Sequence, residues 1–139
     1  MASGGITMIT IDELGGICEF RCSLALGWFE TVGRWVPDEP HPERQRWFST
    51  ACHRLAWHAE LWAERRPAIP HDAVRTRPRS IEVTASGDRL EALGAHLIAE
   101  RDALAAISAR VDADLDPATL RVISLVDADL VDLLGHRPD

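Results

Sequence analysis

The chain has 139 residues, of which 46% are hydrophobic and 27% are charged, and its formal net charge is −7. This composition predicts one globular domain over residues 1–139 and excludes a disordered or collagen-like chain. The excess of acid disfavours nucleic acid and anionic membranes as partners. Because the sequence also lacks a membrane-length apolar stretch and a signal peptide, we expect a cytoplasmic protein.

The chain uses a restricted set of polar residues. Lys, Asn and Tyr are absent, so that all 15 basic residues are arginines, which pair with carboxylates in a fixed fork geometry. The cysteines are three in number, an odd count in a chain without an export signal, which indicates reduced thiols. We expect Cys18, Cys22 and Cys52 to be small core residues.

The first half of the chain predicts two helices. Thr10 and Glu13 have the spacing of a capping box, and the apolar pattern that follows predicts a helix over 11–36. Three prolines in the sequence PDEPHPE end this helix. Pro42 suits the first turn of the next helix, which is predicted over 42–66.

The second half predicts two more helices after a long connection. Residues 67–86 contain three prolines and show no helical period. Ser86 is a candidate cap for a helix over 87–111. The Asp116–Pro117 pair is a start signal for the last helix, over 117–134.

Together these elements predict an all-α fold, a four-helix bundle of two antiparallel helix hairpins. The 67–86 connection is long enough to run the length of the bundle, so both bundle topologies remain open. All the aromatic residues lie between Phe20 and Trp62, which predicts a bulky core in the first hairpin and spare apolar surface for a homodimer. No role is assigned to three arginines of the connection, Arg75, Arg77 and Arg79.

One charged or ionisable residue interrupts the apolar face of each predicted helix near its middle. These residues are Arg21, His58, Glu100 and Asp127. Folding the first hairpin at its turn brings Arg21 level with His58, and folding the second brings Glu100 level with Asp127. The sequence therefore predicts a polar layer at the centre of the bundle, with one residue from each helix.

This predicted layer has a structural and a functional interpretation. Buried charges cost several kcal/mol each unless they are paired, and these residues form a nearly neutral set that would fix the helix register. In the functional interpretation, His58 is a general acid or base, Glu100 and Asp127 orient it or hold a cation, and Arg21 binds an anionic group. Neighbouring aromatic residues would line a small-molecule pocket, and these are Trp57 and Trp62.

Two segments, ICEFRCSLALGWFETVGRWV and ACHRLAWHAELWAERRPAIP, resemble a small ferritin-like subgroup that is associated with actinobacteria. The resemblance covers mainly residues 17–70. It implies a ferritin-like bundle whose mid-helix carboxylates hold a di-iron or di-manganese centre. The positions that this implies as metal ligands are Glu19, Glu60, Glu100 and Asp127, with His96 in an altered set. The superfamily's Glu-x-x-His motif is absent, since Ala63 follows Glu60 and Leu130 follows Asp127 at that spacing.

Three functions are compatible with this sequence. The first is a ferritin-like bundle with a degenerate metal site that binds a small molecule at the central layer, with acid–base catalysis as one form of it. The second is an oxidase or hydroxylase that depends on iron or manganese. The third is a non-catalytic interaction protein that dimerises through its Trp-rich first hairpin. Metal content and stabilisation by ligands distinguish the three.

Overall fold

A computed structural model of the chain describes residues 7–67, 76–83 and 88–139, and these contain four α-helices and no strand. The helices are α1 (Ile11–Trp35), α2 (Pro42–Arg65), α3 (Arg89–Ser108) and α4 (Pro117–Gly135). A 3₁₀ turn, Val36–Asp38, follows α1. The predicted all-α class and the four helices are confirmed. Within the described ranges, no helix is long and apolar enough to cross a membrane.

Capping residues set the first residues of three helices. The Thr10 side chain accepts a hydrogen bond from the backbone N–H of Glu13 at 3.1 Å, and Asp116 caps α4, both as predicted. The structure differs from the prediction at α3. Asp88 caps this helix and accepts from the backbone N–H of Leu90 at 2.9 Å, whereas the predicted cap, Ser86, lies outside the described residues.

One apolar core receives side chains from all four helices. Four of the five tryptophans lie in it with at most 8% of their surface exposed, and they are Trp28, Trp35, Trp47 and Trp62. The aromatic core predicted for the first two helices is therefore present. Because these rings are turned inward, they do not supply the apolar surface on which the predicted homodimer was based.

Contacts at the helix ends show the directions of α2 and α4. Near the beginning of α2, the Trp47 indole N–H donates to the carbonyl of Leu133, close to the end of α4, at 2.9 Å. At the end of α2, the Arg65 guanidinium pairs with Asp116, immediately before α4, at 2.7 Å. The two helices therefore run in opposite directions.

The helices α1 and α3 also run in opposite directions. The Arg110 guanidinium, just beyond α3, pairs with Glu13 in the first turn of α1 at 2.6 Å. At the other end, the Arg89 guanidinium, in the first turn of α3, lies 5.5 Å from the centre of the Trp35 ring. These contacts bring the middle of α3 beside the middle of α1.

The described part of the long connection, residues 76–83, lies against the middle of α1. The Ser23 hydroxyl donates to the carbonyl of Arg77 at 2.7 Å, and the Arg79 N–H donates to the carbonyl of Ser23 at 3.0 Å. Gly27 makes this approach possible, because a Cβ there would collide with the Arg79 carbonyl oxygen. The Arg79 guanidinium also lies 5.1 Å from the Phe20 ring centre. The third arginine of the connection, at position 75, lies outside the described residues.

Candidate functional site

Arg21 and Glu100 form an ion pair across α1 and α3. The guanidinium Nη1 donates to Oε1 of Glu100, and the two side chains are only 15% and 9% exposed. Burial raises the pKa of Glu100 above its usual value, although the neighbouring Arg21 charge opposes this shift. Both residues therefore take the central positions that the sequence predicts for them.

His96 lies on α3, one turn before Glu100. Its ring stacks on Trp28 of α1, with the ring centres 4.5 Å apart and the planes 12° from parallel. Burial lowers the pKa of His96 to about 4, and the nearby Arg21 and His58 contribute to this shift. His96 is therefore a neutral, packed ring at neutral pH.

His58 and Asp129 form the second buried pair, across α2 and α4. The His58 Nε2 lies 2.5 Å from Oδ2 of Asp129, and the side chains are 3% and 4% exposed. Arg54, one turn before His58 on α2, pairs with the other carboxylate oxygen of Asp129. Burial lowers the pKa of His58 to about 4, and the Arg54 charge contributes to this shift.

This arrangement determines which nitrogen of His58 is available for chemistry. Asp129 carries the negative charge that balances Arg54, so the neutral imidazole donates its Nε2 hydrogen to the carboxylate. The lone pair is then on Nδ1. A proton can be taken up only at Nδ1, which makes this atom the candidate general base.

Asp129, and not Asp127, is the carboxylate that α4 contributes to the layer. The Asp127 side chain is 37% exposed and accepts from Nε of Arg101 on α3 at 2.8 Å. The buried side of α4 consists of Thr119, Val122, Ile123, Val126, Asp129, Leu130 and Leu133. The prediction for Asp127 was wrong, because the rotation of α4 about its axis turns this side chain away from the core. The catalytic role predicted for Asp127 requires a buried position, which it does not occupy.

The buried polar layer thus consists of Arg21, Glu100, His58 and Asp129, with Arg54 at its edge. Comparisons with protein-family models, curated proteins and solved structures found no match. With two guanidinium groups, two carboxylates and a neutral imidazole, the layer has no net charge. Its candidate general base is the Nδ1 atom of His58.

The residues predicted as metal ligands are not brought together. Glu19 and Glu60 are exposed, while Asp127 pairs with Arg101 at the surface. Glu100 is held by Arg21, whose positive charge opposes a cation there. Over residues 7–67, 76–83 and 88–139, no three His, Cys, Asp or Glu side chains could hold a metal ion together. Among the described residues, the groups that the sequence predicts as ligands therefore do not fit an iron or manganese centre.

The two tryptophans predicted to line a pocket differ in their environments. Trp62 is 1% exposed, and its indole N–H has no hydrogen-bond partner among the described residues. Trp57 is 36% exposed, and its ring centre lies 5.8 Å from that of His58. An unpaired donor and a partly exposed ring therefore flank His58 along α2.

Sequence reasoning missed Arg54 and Asp129. Arg54 precedes His58 by one helical turn, a spacing that places both side chains on one face of α2. Asp129 falls on the same face of α4 as Val126 and Val122, which precede it by three and seven residues. The position of Arg54 relative to His58, and that of Asp129 relative to the two valines, were the sequence signals that could have identified these residues.

Proposed function

We propose that the protein is a ferritin-like helical bundle with a degenerate metal site, and that it binds a small molecule at its buried polar layer. The observation that carries this proposal is the connected series His58, Asp129 and Arg54, which extends from the core to the surface. Since Arg54 is 39% exposed, a ligand can reach the group that holds Asp129.

The helix directions support the ferritin-like part of the proposal. Because α2 is opposite to α4 and α1 is opposite to α3, a bundle in which α1 is also opposite to α2 has α2 and α3 parallel. Parallel α2 and α3 require a connection that crosses the bundle from end to end, as in ferritin-like folds. The packing of residues 76–83 against the middle of α1 agrees with such a crossing.

Two features favour a ligand over a purely structural role for the layer. Arg54 balances the charge of Asp129, so His58 is not needed for charge neutrality and places a basic nitrogen in the layer. The buried N–H of Trp62 finds no acceptor among the described residues, and such a group costs about 1–3 kcal/mol. A ligand that offers an acceptor to Trp62 and a proton to His58 would satisfy both.

In a catalytic form of this function, His58 acts as the base. Its Nδ1 takes a proton from the ligand, while Asp129 keeps the ring oriented and stabilises the resulting imidazolium. Glu100, whose pKa burial raises, is a second group for proton exchange. Arg21 orients Glu100 and gives the anionic part of a ligand a positive neighbour.

The test measures ligand-induced shifts in melting temperature with a panel of metabolites, using wild type, His58→Gln and His53→Gln. Glutamine at position 58 keeps a donor toward Asp129 but removes the basic nitrogen. His53 is exposed on the same helix, where its Nδ1 lies 2.8 Å from the Ser49 carbonyl, and it serves as the control. We expect one or more metabolites to stabilise wild type and His53→Gln but not His58→Gln.

Metal analysis of the purified protein completes this experiment. Stoichiometric iron or manganese would contradict the degenerate site and support the oxidase. A protein that no metabolite stabilises, or whose stabilisation is unchanged in His58→Gln, would contradict ligand binding at the layer.

A further inference from the structure

A cleft of about 560 Å³ opens between α2 and α4, next to the buried polar layer. Its walls include Arg46, Trp47 and Arg54 from α2, and Asp132 and His136 from α4 and its end. Arg54 belongs to this wall and also pairs with the buried Asp129. The cleft is therefore the place at which a dissolved molecule meets the series that leads to His58.

The α2 wall of the cleft presents two guanidinium groups. Arg46 is exposed and forms no ion pair with any residue that the structure describes. Arg54 lies eight residues later on the same helix, about 12 Å along its axis. An anion between them would meet the positive charge of Arg46, which has no ion pair with a described residue, and that of Arg54, which already pairs with Asp129 and Asp132.

Two carboxylates also line the cleft, those of Glu43 and Asp132, and the one beside Arg54 is weakly held. Asp132 is 48% exposed and lies 3.5 Å from both the Arg54 guanidinium and the His136 ring. Exposed ion pairs of this length contribute at most about 1 kcal/mol. A ligand carboxylate or phosphate can therefore replace Asp132 beside Arg54 at little cost.

The inner wall of the cleft is apolar and fixed. The Trp47 indole N–H is already bonded to the Leu133 carbonyl at 2.9 Å, so the ring offers only carbon atoms to a ligand. Leu133 and Pro138 also line the cleft. A small flat or aliphatic group suits this wall, since few polar atoms there would lose water.

We propose that this cleft binds a small organic anion, through a carboxylate or phosphate group held by Arg46 and Arg54. The ligand's apolar part lies against Trp47 and Leu133. This inference rests on the proposed function, because Arg54 is the residue that connects the cleft with Asp129 and His58. It assigns the ligand class and the route of approach.

The test is calorimetric titration with benzoate, inorganic phosphate and benzylamine, a cation of benzoate's size. The variants are Arg46→Gln and, as the matched control, Arg121→Gln, which removes an exposed arginine of α4 outside the cleft. Arg46 is exposed and has no ion pair with a described residue, so we expect its replacement to leave the fold intact, whereas a change at Arg54 would strand Asp129. We expect benzoate or phosphate to bind wild type and Arg121→Gln equally, and Arg46→Gln about tenfold more weakly.

The two anions distinguish a carboxylate ligand from a phosphate ligand. Equal binding of benzylamine and both anions, or unchanged anion binding by Arg46→Gln, would overturn the inference. If Arg46→Gln weakens anion binding but His58→Gln leaves the stabilisation by metabolites unchanged, the anion cleft is supported and the proposed function is contradicted. If stabilisation by metabolites depends on His58 but not on Arg46, the proposed function is supported and the anion cleft is contradicted.

Discussion

Arg54 reduces the free-energy cost of burying His58 and Asp129 together. A carboxylate without a cation would be costly at 4% exposure, and a protonated imidazole would be costly at 3%. With Arg54 on one carboxylate oxygen and the Nε2 hydrogen of His58 on the other, the carboxylate is satisfied on both sides. The imidazole of His58 therefore remains neutral.

Asp129→Asn should therefore destabilise the protein strongly. It removes the buried negative charge that pairs with Arg54 and leaves that guanidinium with the half-exposed Asp132 at 3.5 Å, and breaking a buried pair costs about 3–5 kcal/mol. The matched change Asp127→Asn breaks a partly exposed pair with Arg101 and should cost less than about 1 kcal/mol. Urea unfolding of the two variants checks this, and equal losses of stability would contradict the assignment of Asp129 to the core.

At the residue scale, the sequence predicts how far along the helices the central site lies, but it does not predict all the residues that form the site. Arg21, His58 and Glu100 stood out because each interrupts an apolar face, and all three lie in the layer. Asp127 is level with the middle of α3, as expected, since it meets Arg101. The residue that pairs with Asp127, Arg101, could not be predicted, because a sequence does not show which helices are neighbours.

At the scale of the helices, starts were easier to predict than rotations. Caps and prolines act locally, so Thr10 and Asp116 mark α1 and α4 directly. The rotation of α4 was ambiguous because apolar residues lie all around it, and Leu125 and Val131 are 37% and 47% exposed. Asp127 and Asp129 are two residues apart, about 200° around the helix, so an error in the centre of the apolar face exchanges one for the other.

The contact between α1 and the long connection gives a test at this scale. Gly27→Ala should lower the free energy of unfolding by about 1–3 kcal/mol, because the added Cβ meets the Arg79 carbonyl. Gly16→Ala, on the same helix but with no atom within 4 Å of its added Cβ, should raise it by about 0.5–1 kcal/mol. Chemical denaturation measures both changes, and a stabilising Gly27→Ala would show that residues 76–83 are not packed there.

At the scale of the whole molecule, the buried histidines make stability depend on pH. His58 and His96 have pKa values of about 4 in the folded protein against 6.5 ordinarily. The unfolded chain therefore binds more protons between these values, so stability falls as the pH decreases through this window. Each histidine contributes a slope of up to about 1.4 kcal/mol per pH unit. The raised pKa of Glu100 opposes this loss, because the folded state binds its proton more tightly.

His96→Phe isolates one part of this dependence. Phenylalanine keeps a ring on Trp28 and cannot be protonated, so the variant should lose less stability than wild type between about pH 6.5 and 5. Urea unfolding at both pH values gives the two differences. Identical losses in the two proteins would mean that His96 does not stay neutral in the folded state.

The cysteines of α1 follow the same burial. Cys18 and Cys22 are 0% and 3% exposed, and burial raises the pKa of both thiols, to about 11 for Cys18. A thiol reagent reacts with the thiolate, which these side chains do not form while α1 is packed. Alkylation at Cys18 would then proceed only when α1 separates from its neighbours, so the rate of labelling would report how often the bundle opens.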